Sequence, residues 1–148
     1  MVQKTAITEV IKSLADVETR FNLRRTEDEQ FFTEWYEDLP EITDAEKASL
    51  DLIRRRFWVT LLESKRTAIS VMSALPQTLT YMMANPHADK SAFGMVTNGD
   101  GIIFVKLSQQ GTPQYDISRV FSPAPLRNEL YDVSQILKHI GQLITQAG

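Results

Sequence analysis

Ala92-Phe93-Gly94-Met95-Val96-Thr97, Asn98-Gly99-Asp100-Gly101, Ile102-Ile103-Phe104-Val105-Lys106-Leu107: two apolar, β-prone runs enclose four residues of strong turn chemistry. Asn-Gly and Asp-Gly supply the backbone conformations that reverse a chain between strands, so this stretch predicts a hairpin of adjacent antiparallel strands. Thr97 and Asn98 need no role beyond that turn. Farther on, Gln114 to Val120, behind Pro113, reads as a short edge strand. From Leu126 to Ile144, Leu130, Val133, Ile136, Leu137, Ile140 and Ile144 recur at helical spacing, a stripe that should cover the sheet. His139 reads as a surface residue of that helix and His87 as a loop residue. The two form no zinc-like or triad-like constellation.

Toward the N-terminus, Thr5 to Leu23 carries Ile7, Val10, Ile11, Leu14, Val17 and Phe21 at helical spacing and predicts an amphipathic helix. Thr26 to Glu41 is acidic and holds Phe31, Phe32, Trp35 and Tyr36. Six acidic residues between Glu27 and Asp38 repel phosphate, so these aromatics read as anchors to the body and not as a base-stacking platform. Thr43-Asp44-Ala45-Glu46 is a capping box opening a helix to about Arg56, with Pro40 as the preceding breaker.

The composition is that of one soluble domain. The 148 residues carry a net charge of −3, with −4 on residues 1–56 and +1 on residues 57–148. A strongly basic footprint for nucleic acid is missing, although Arg24-Arg25, Arg54-Arg55-Arg56 and Lys65-Arg66 are local clusters. The Arg triplet reads as a solvated helix end. Absence of cysteine excludes disulfides and thiolate metal sites. No apolar run is long enough for a membrane span and the start is not that of a secretory signal, so a cytoplasmic location is expected. There is no glycine-rich phosphate loop, hence no expected nucleotide site.

Chemistry concentrates between Phe57 and Tyr81. Phe57-Trp58-Val59-Thr60-Leu61-Leu62-Glu63-Ser64-Lys65 is a β-prone run whose alternation puts Glu63 and Lys65 on one face and Ser64 on the other. A carboxylate there suits a hard divalent cation, and a neighbouring ammonium suits an attacking water or a phosphate. A strand leaving the core for solvent also ends in charges. Downstream, Val71, Ala74, Leu75, Leu79 and Met82 mark a helix with one buried stripe, and Gln77 and Tyr81, four apart, share a face. Pro76 should kink that helix or mark its restart.

In this order, FWVTLLESKR, ALPQTLTYMMANP, FGMVTNGDGIIFVKL, GTPQYDISRVFS and NELYDVSQILKHIGQLI, with DEQFFTEWYEDLPEITDAEKASLDLI before them, resemble the PD-(D/E)xK nuclease superfamily. The likeness is to the N-terminal nuclease domain of type I restriction enzyme R subunits and covers most of residues 27–145. It implies an α+β fold with a restriction-endonuclease-like mixed sheet flanked by helices. The whole of 1–148 would be one such domain, with a helical part over 1–56 and a sheet-bearing core over 57–148. The implied activity is Mg²⁺- or Mn²⁺-dependent hydrolysis of DNA. Glu63 and the Ser64 carbonyl would hold the metal, Lys65 would position water or stabilise charge, and Gln77 and Tyr81 would orient Lys65 or the phosphate. The ATP-driven translocation of R subunits has no motif in this chain.

One departure separates this chain from that family. The hairpin bearing the family's Asp precedes the Glu-x-Lys strand, yet here Leu50-Asp51-Leu52-Ile53-Arg54-Arg55-Arg56 runs directly into Phe57, so the fold is shortened. Either the gene has lost the block or the chain joins two parts across an omitted piece. Asp51, in its helical context, is not a replacement. A core without the hairpin would expose a sheet edge and apolar surface, which favours self-association. The alternative function is therefore a catalytically impaired nuclease-fold remnant that binds itself or another restriction subunit.

Overall fold

A computed structural model describes residues 13–52, 71–98, 101–122 and 129–146. The expected strand over Phe57–Lys65, the Arg54–Arg56 triplet, Gly99-Asp100 of the turn and the part of the expected N-terminal helix before Ser13 lie outside the described residues. Helices α1 (Leu14–Phe21), α2 (44–52), α3 (Leu75–Met83) and α4 (Leu130–Gln146) accompany strands β1 (Arg24–Arg25), β2 (Ala92–Thr97), β3 (Ile102–Ser108) and β4 (Gln114–Ile117). The strands form one sheet in the order β1-β4-β3-β2. Its β1-β4 pair is parallel and the others antiparallel, so this is an α+β fold with a mixed sheet flanked by helices.

The hairpin forms with its strands adjacent and antiparallel as expected, in the register Ala92 opposite Leu107 through Thr97 opposite Ile102. Asn98 closes the turn by accepting the Gly101 N–H on its Oδ1 at 2.9 Å. Alternation along β3 divides the core in two. Ile103, Val105 and Leu107 join Val17, Leu23, Leu75, Leu79, Met82, Val96 and Tyr115 beneath α1 and α3. Ile102 and Phe104 face the other way, joining Phe32, Phe121, Val133, Ile136 and Ile140 beneath α4.

Two local rules break the expected elements. Ser13 and Asp16 cap each other's backbone N–H groups at 3.2 Å, so a helix starts at Leu14 inside the run expected to be continuous from Thr5. That helix ends at Asn22, which takes a left-handed φ of 50° and turns the buried Leu23 into the core. β4 is shorter than expected and is not an edge strand, because Arg24-Arg25 adds alongside it. Ser118 ends it: its N–H bonds Phe104 O and its hydroxyl accepts Phe104 N–H, both at 2.9 Å. Arg119 and Val120 are exposed beyond it before Phe121 rejoins β3 opposite Ile102.

At α2 the Thr43–Glu46 capping box forms as expected, each side chain receiving the other's N–H at 3.2 Å. Lys138 also bonds Glu46 at 3.0 Å, and with Thr43 it holds that carboxyl below the usual glutamate value. On α4, Val133, Ile136 and Ile140 are buried, whereas Leu137 and Ile144 are exposed, a narrower stripe than expected. The sheet face is partly occupied by residues 26–43, which leaves less of α4 in contact with it.

Candidate functional site

Helix α3 is preceded by a single 3-10 turn, Val71–Ala74, and restarts at Leu75 with Pro76 in its first turn, where proline's missing N–H costs nothing. Leu75, Leu79 and Met82 bury one side. Gly94 on β2 allows the close approach: a Cβ there would lie 3.1 Å from Met82 Sδ and 3.5 Å from Thr78 Cγ2. The opposite side carries Gln77 and Tyr81, both exposed, and Gln77 Nε2 donates to Tyr81 Oη at 3.2 Å. Because Tyr81 accepts this bond, its O–H keeps its donor capacity for a ligand, and Gln77 Oε1 keeps its acceptor capacity for a cation. The pair thus offers a phosphate one hydroxyl donor and an ammonium one carbonyl.

Glu63, Ser64 and Lys65, the remaining sequence candidates, lie outside the described residues. Among the described residues no three His, Cys, Asp or Glu side chains group as a metal site. The resemblance implies the Glu63 carboxylate and the Ser64 carbonyl as the protein ligands of a divalent cation, and one carboxylate with waters and a substrate phosphate is the least that Mg²⁺ accepts. Asp51 accepts a hydrogen bond from Tyr131 Oη at 2.7 Å, which fastens α2 to α4.

A second constellation was not identified from sequence. Lys106, the one residue of β3 that is not fully buried, places Nζ 2.5 Å from Glu34 Oε1 and 2.7 Å from Phe31 O. The rings of Phe31 and Phe93 lie 5.1 and 5.7 Å from it. Glu34 Oε2 is buried without a hydrogen-bond partner among the described residues. His139, expected on the surface, is half-buried with Nδ1 2.9 Å from Glu34 O. The only available signal was a lysine inside an apolar strand, which alternation aims into the covered face.

Above this pair opens a cleft of about 680 Å³ between the loop after α3, the start of β2 and the end of α4. His87 and Lys90 stand on its rim, exposed as a loop should be, and Phe93, Leu143 and Ile144 form an apolar wall. Arg25, counted as part of a basic cluster, pairs instead with Asp116 at 3.1 Å. None of the described helices is long and apolar enough to cross a membrane. Comparisons with protein-family models, curated proteins and solved structures find no match.

Proposed function

We propose that this chain is a Mg²⁺-dependent DNA endonuclease domain of the type I restriction R-subunit kind, hydrolysing phosphodiester bonds. The observation that carries the reading is the Gln77–Tyr81 pair, which is exposed, mutually hydrogen-bonded and seated on a helix packed against the hairpin of a mixed sheet. In this reading Tyr81 Oη donates to a non-bridging phosphate oxygen and Gln77 Oε1 fixes the Lys65 ammonium. Lys65 orients the attacking water and offsets charge on the phosphate. Water adds to phosphorus, the bond to the leaving sugar oxygen breaks, and that oxygen takes up a proton. A cation held by Glu63 and Ser64 supplies Lewis acidity when bound.

The sequence itself favours a second reading. With Arg56 joined directly to Phe57, the family's Asp is absent, and the chain would then be a catalytically impaired scaffold that associates with itself or a restriction partner. A plasmid-nicking assay with Mg²⁺ or Mn²⁺ separates the two. Wild type should nick, Glu63→Ala and Lys65→Ala should fall to background, and Gln77→Ala should lose about tenfold, the scale of one charge-orienting hydrogen bond. Equal background in all four proteins would leave the scaffold reading alone.

A further inference from the structure

Residues 26–43, between β1 and α2, form a strap of turns on the α4 side of the sheet. The strap carries seven acidic residues and no basic one, so that of the net charge of −3 the rest of the chain holds +4. The missing basic footprint is therefore a property of the strap. Its acidic groups and carbonyls stand where cations of the body are. Glu34 pairs with Lys106, and the Glu41 carbonyl bonds Lys138, which Glu46 of α2 also pairs. Glu27, Asp28 and Glu29 share a hollow with Arg25.

The body meets the strap with donors. Lys106 Nζ bonds Phe31 O as well as Glu34, and Gln135 Nε2 bonds Pro40 O at 3.1 Å. His139 Nδ1 carries its proton in order to face the Glu34 carbonyl. Every acceptor in these contacts is an oxygen, and ammonium, amide and imidazole donors also receive phosphate oxygens. Phe32 against Phe93 and Trp35 against Phe121 keep the strap closed at rest. Its ionic contact is less well compensated, because Glu34 Oε2 is buried without a hydrogen-bond partner among the described residues. That desolvation is recovered when Glu34 swings out to water. A polyanion gains from the same motion, since like charges leave its path and donors come free.

We propose that the strap is an autoinhibitory contact: its carboxylate and carbonyl oxygens occupy donors that otherwise take DNA phosphates, and DNA binds by displacing it. The proposal rests on the DNA reading above. It makes the observed affinity the intrinsic one scaled by the fraction of molecules whose strap is open, so a change that loosens the strap without touching the donors tightens DNA.

The test combines hydrogen exchange with fluorescence anisotropy of a labelled duplex oligodeoxynucleotide, on the full chain at low salt without divalent cations. Saturating DNA should speed amide exchange across residues 26–42 of wild type about tenfold, where a ligand bound over a closed strap would slow it. Glu34→Gln keeps a hydrogen-bond acceptor for Lys106 but drops the charge, and should tighten DNA about five- to tenfold. Phe32→Ala leaves the net charge unchanged and should tighten it at least as much; if that variant does not fold, Glu34→Gln and the wild-type exchange decide. Asp132→Asn, the same change of charge outside the strap, should stay within about twofold of wild type. In the Glu34→Gln background, Lys106→Gln should flatten the log–log salt dependence by about 0.9.

Strap amides left unchanged or slowed by DNA would overturn the proposal, as would affinities within twofold of wild type in the folded strap variants. Poly-glutamate opening the strap as well as DNA does would make an acidic protein the ligand and overturn it too. Nicking by a wild type whose strap DNA leaves closed rejects the autoinhibition and keeps the nuclease. A strap opened by DNA without nicking does the reverse.

Discussion

On one face of the sheet, α1 and α3 lie over aliphatic residues, and their backbones bond largely within the helices. On the other, α4 shares the cover with residues 26–43, a strap of turns without regular structure before α2. An irregular strap has carbonyls to satisfy, and side chains from elsewhere satisfy them. Lys106 reaches Phe31 O, Gln135 reaches Pro40 O at 3.1 Å, and Lys138 reaches Glu41 O at 3.0 Å. His139 Nδ1 meets Glu34 O. Aromatic packing supplies the adhesion: Phe32 lies 6.2 Å from Phe93, and Trp35 stands edge-on to Phe121 at 6.2 Å. Among the described residues the helical face is held by apolar packing with a clamp from Gln109 Nε2 to Met83 O, whereas the strapped face combines apolar anchors with several polar clamps. The proposed catalytic pair rides on the first, and the cleft opens beside the second.

The largest expected effects test this contrast directly. Leu79→Ala and Phe32→Ala each remove a side chain at most 2% exposed, and each should cost about 3–5 kcal/mol in chemical denaturation. They should differ in kind. Phe32→Ala should release the strap first, giving proteolytic cuts between residues 26 and 41 under conditions where Leu79→Ala gives none. Equal cutting in both variants would erase the distinction between the faces.

A smaller effect sharpens the description of the helical face. Burial, aided by the Glu18 charge, raises the Tyr115 phenol from its ordinary value of 10.0 to about 12. The raised value belongs to the folded state, so this stabilisation is complete below pH 10 and is lost as pH rises to about 12, roughly 2–3 kcal/mol in all. Stability measured across that window should fall less steeply in Tyr115→Phe than in wild type. Parallel curves would mean that the phenol is not desolvated on that face.

The smallest change concerns helix starts. Ser13→Ala and Thr43→Ala each remove half of a capping box and should cost about 1 kcal/mol. Because Thr43 ends the strap, its variant should also speed amide exchange at Glu41 and Ile42. Ser13→Ala should leave those amides alone.

How much could be read in advance depended on the range of the interaction. The hairpin, the Thr43 box, the Pro76 restart and the shared face of Gln77 and Tyr81 follow from spacings of two to six residues. They appear where the sequence puts them. The break at Ser13 was legible too, since Ser13-Leu14-Ala15-Asp16 is itself a capping box, but the longer apolar periodicity obscured it. Nothing near Arg24-Arg25 announces a strand: two charged residues become one only because β4 offers its free edge, with Arg24 N–H bonding Pro113 O at 3.1 Å.

Local spacing therefore determined the β2–β3 hairpin, the capped start of α2, the restart of α3 at Leu75 and the face that Gln77 and Tyr81 share. These depend on backbone sterics and on neighbours within one or two turns. Tertiary structure alone decided that Lys106 meets Glu34 across 72 positions, that His139 turns inward to the strap, and that Ile144 is left on the wall of a cleft. Those outcomes depend on which surfaces compete for one sheet face, and no local spacing encodes that competition.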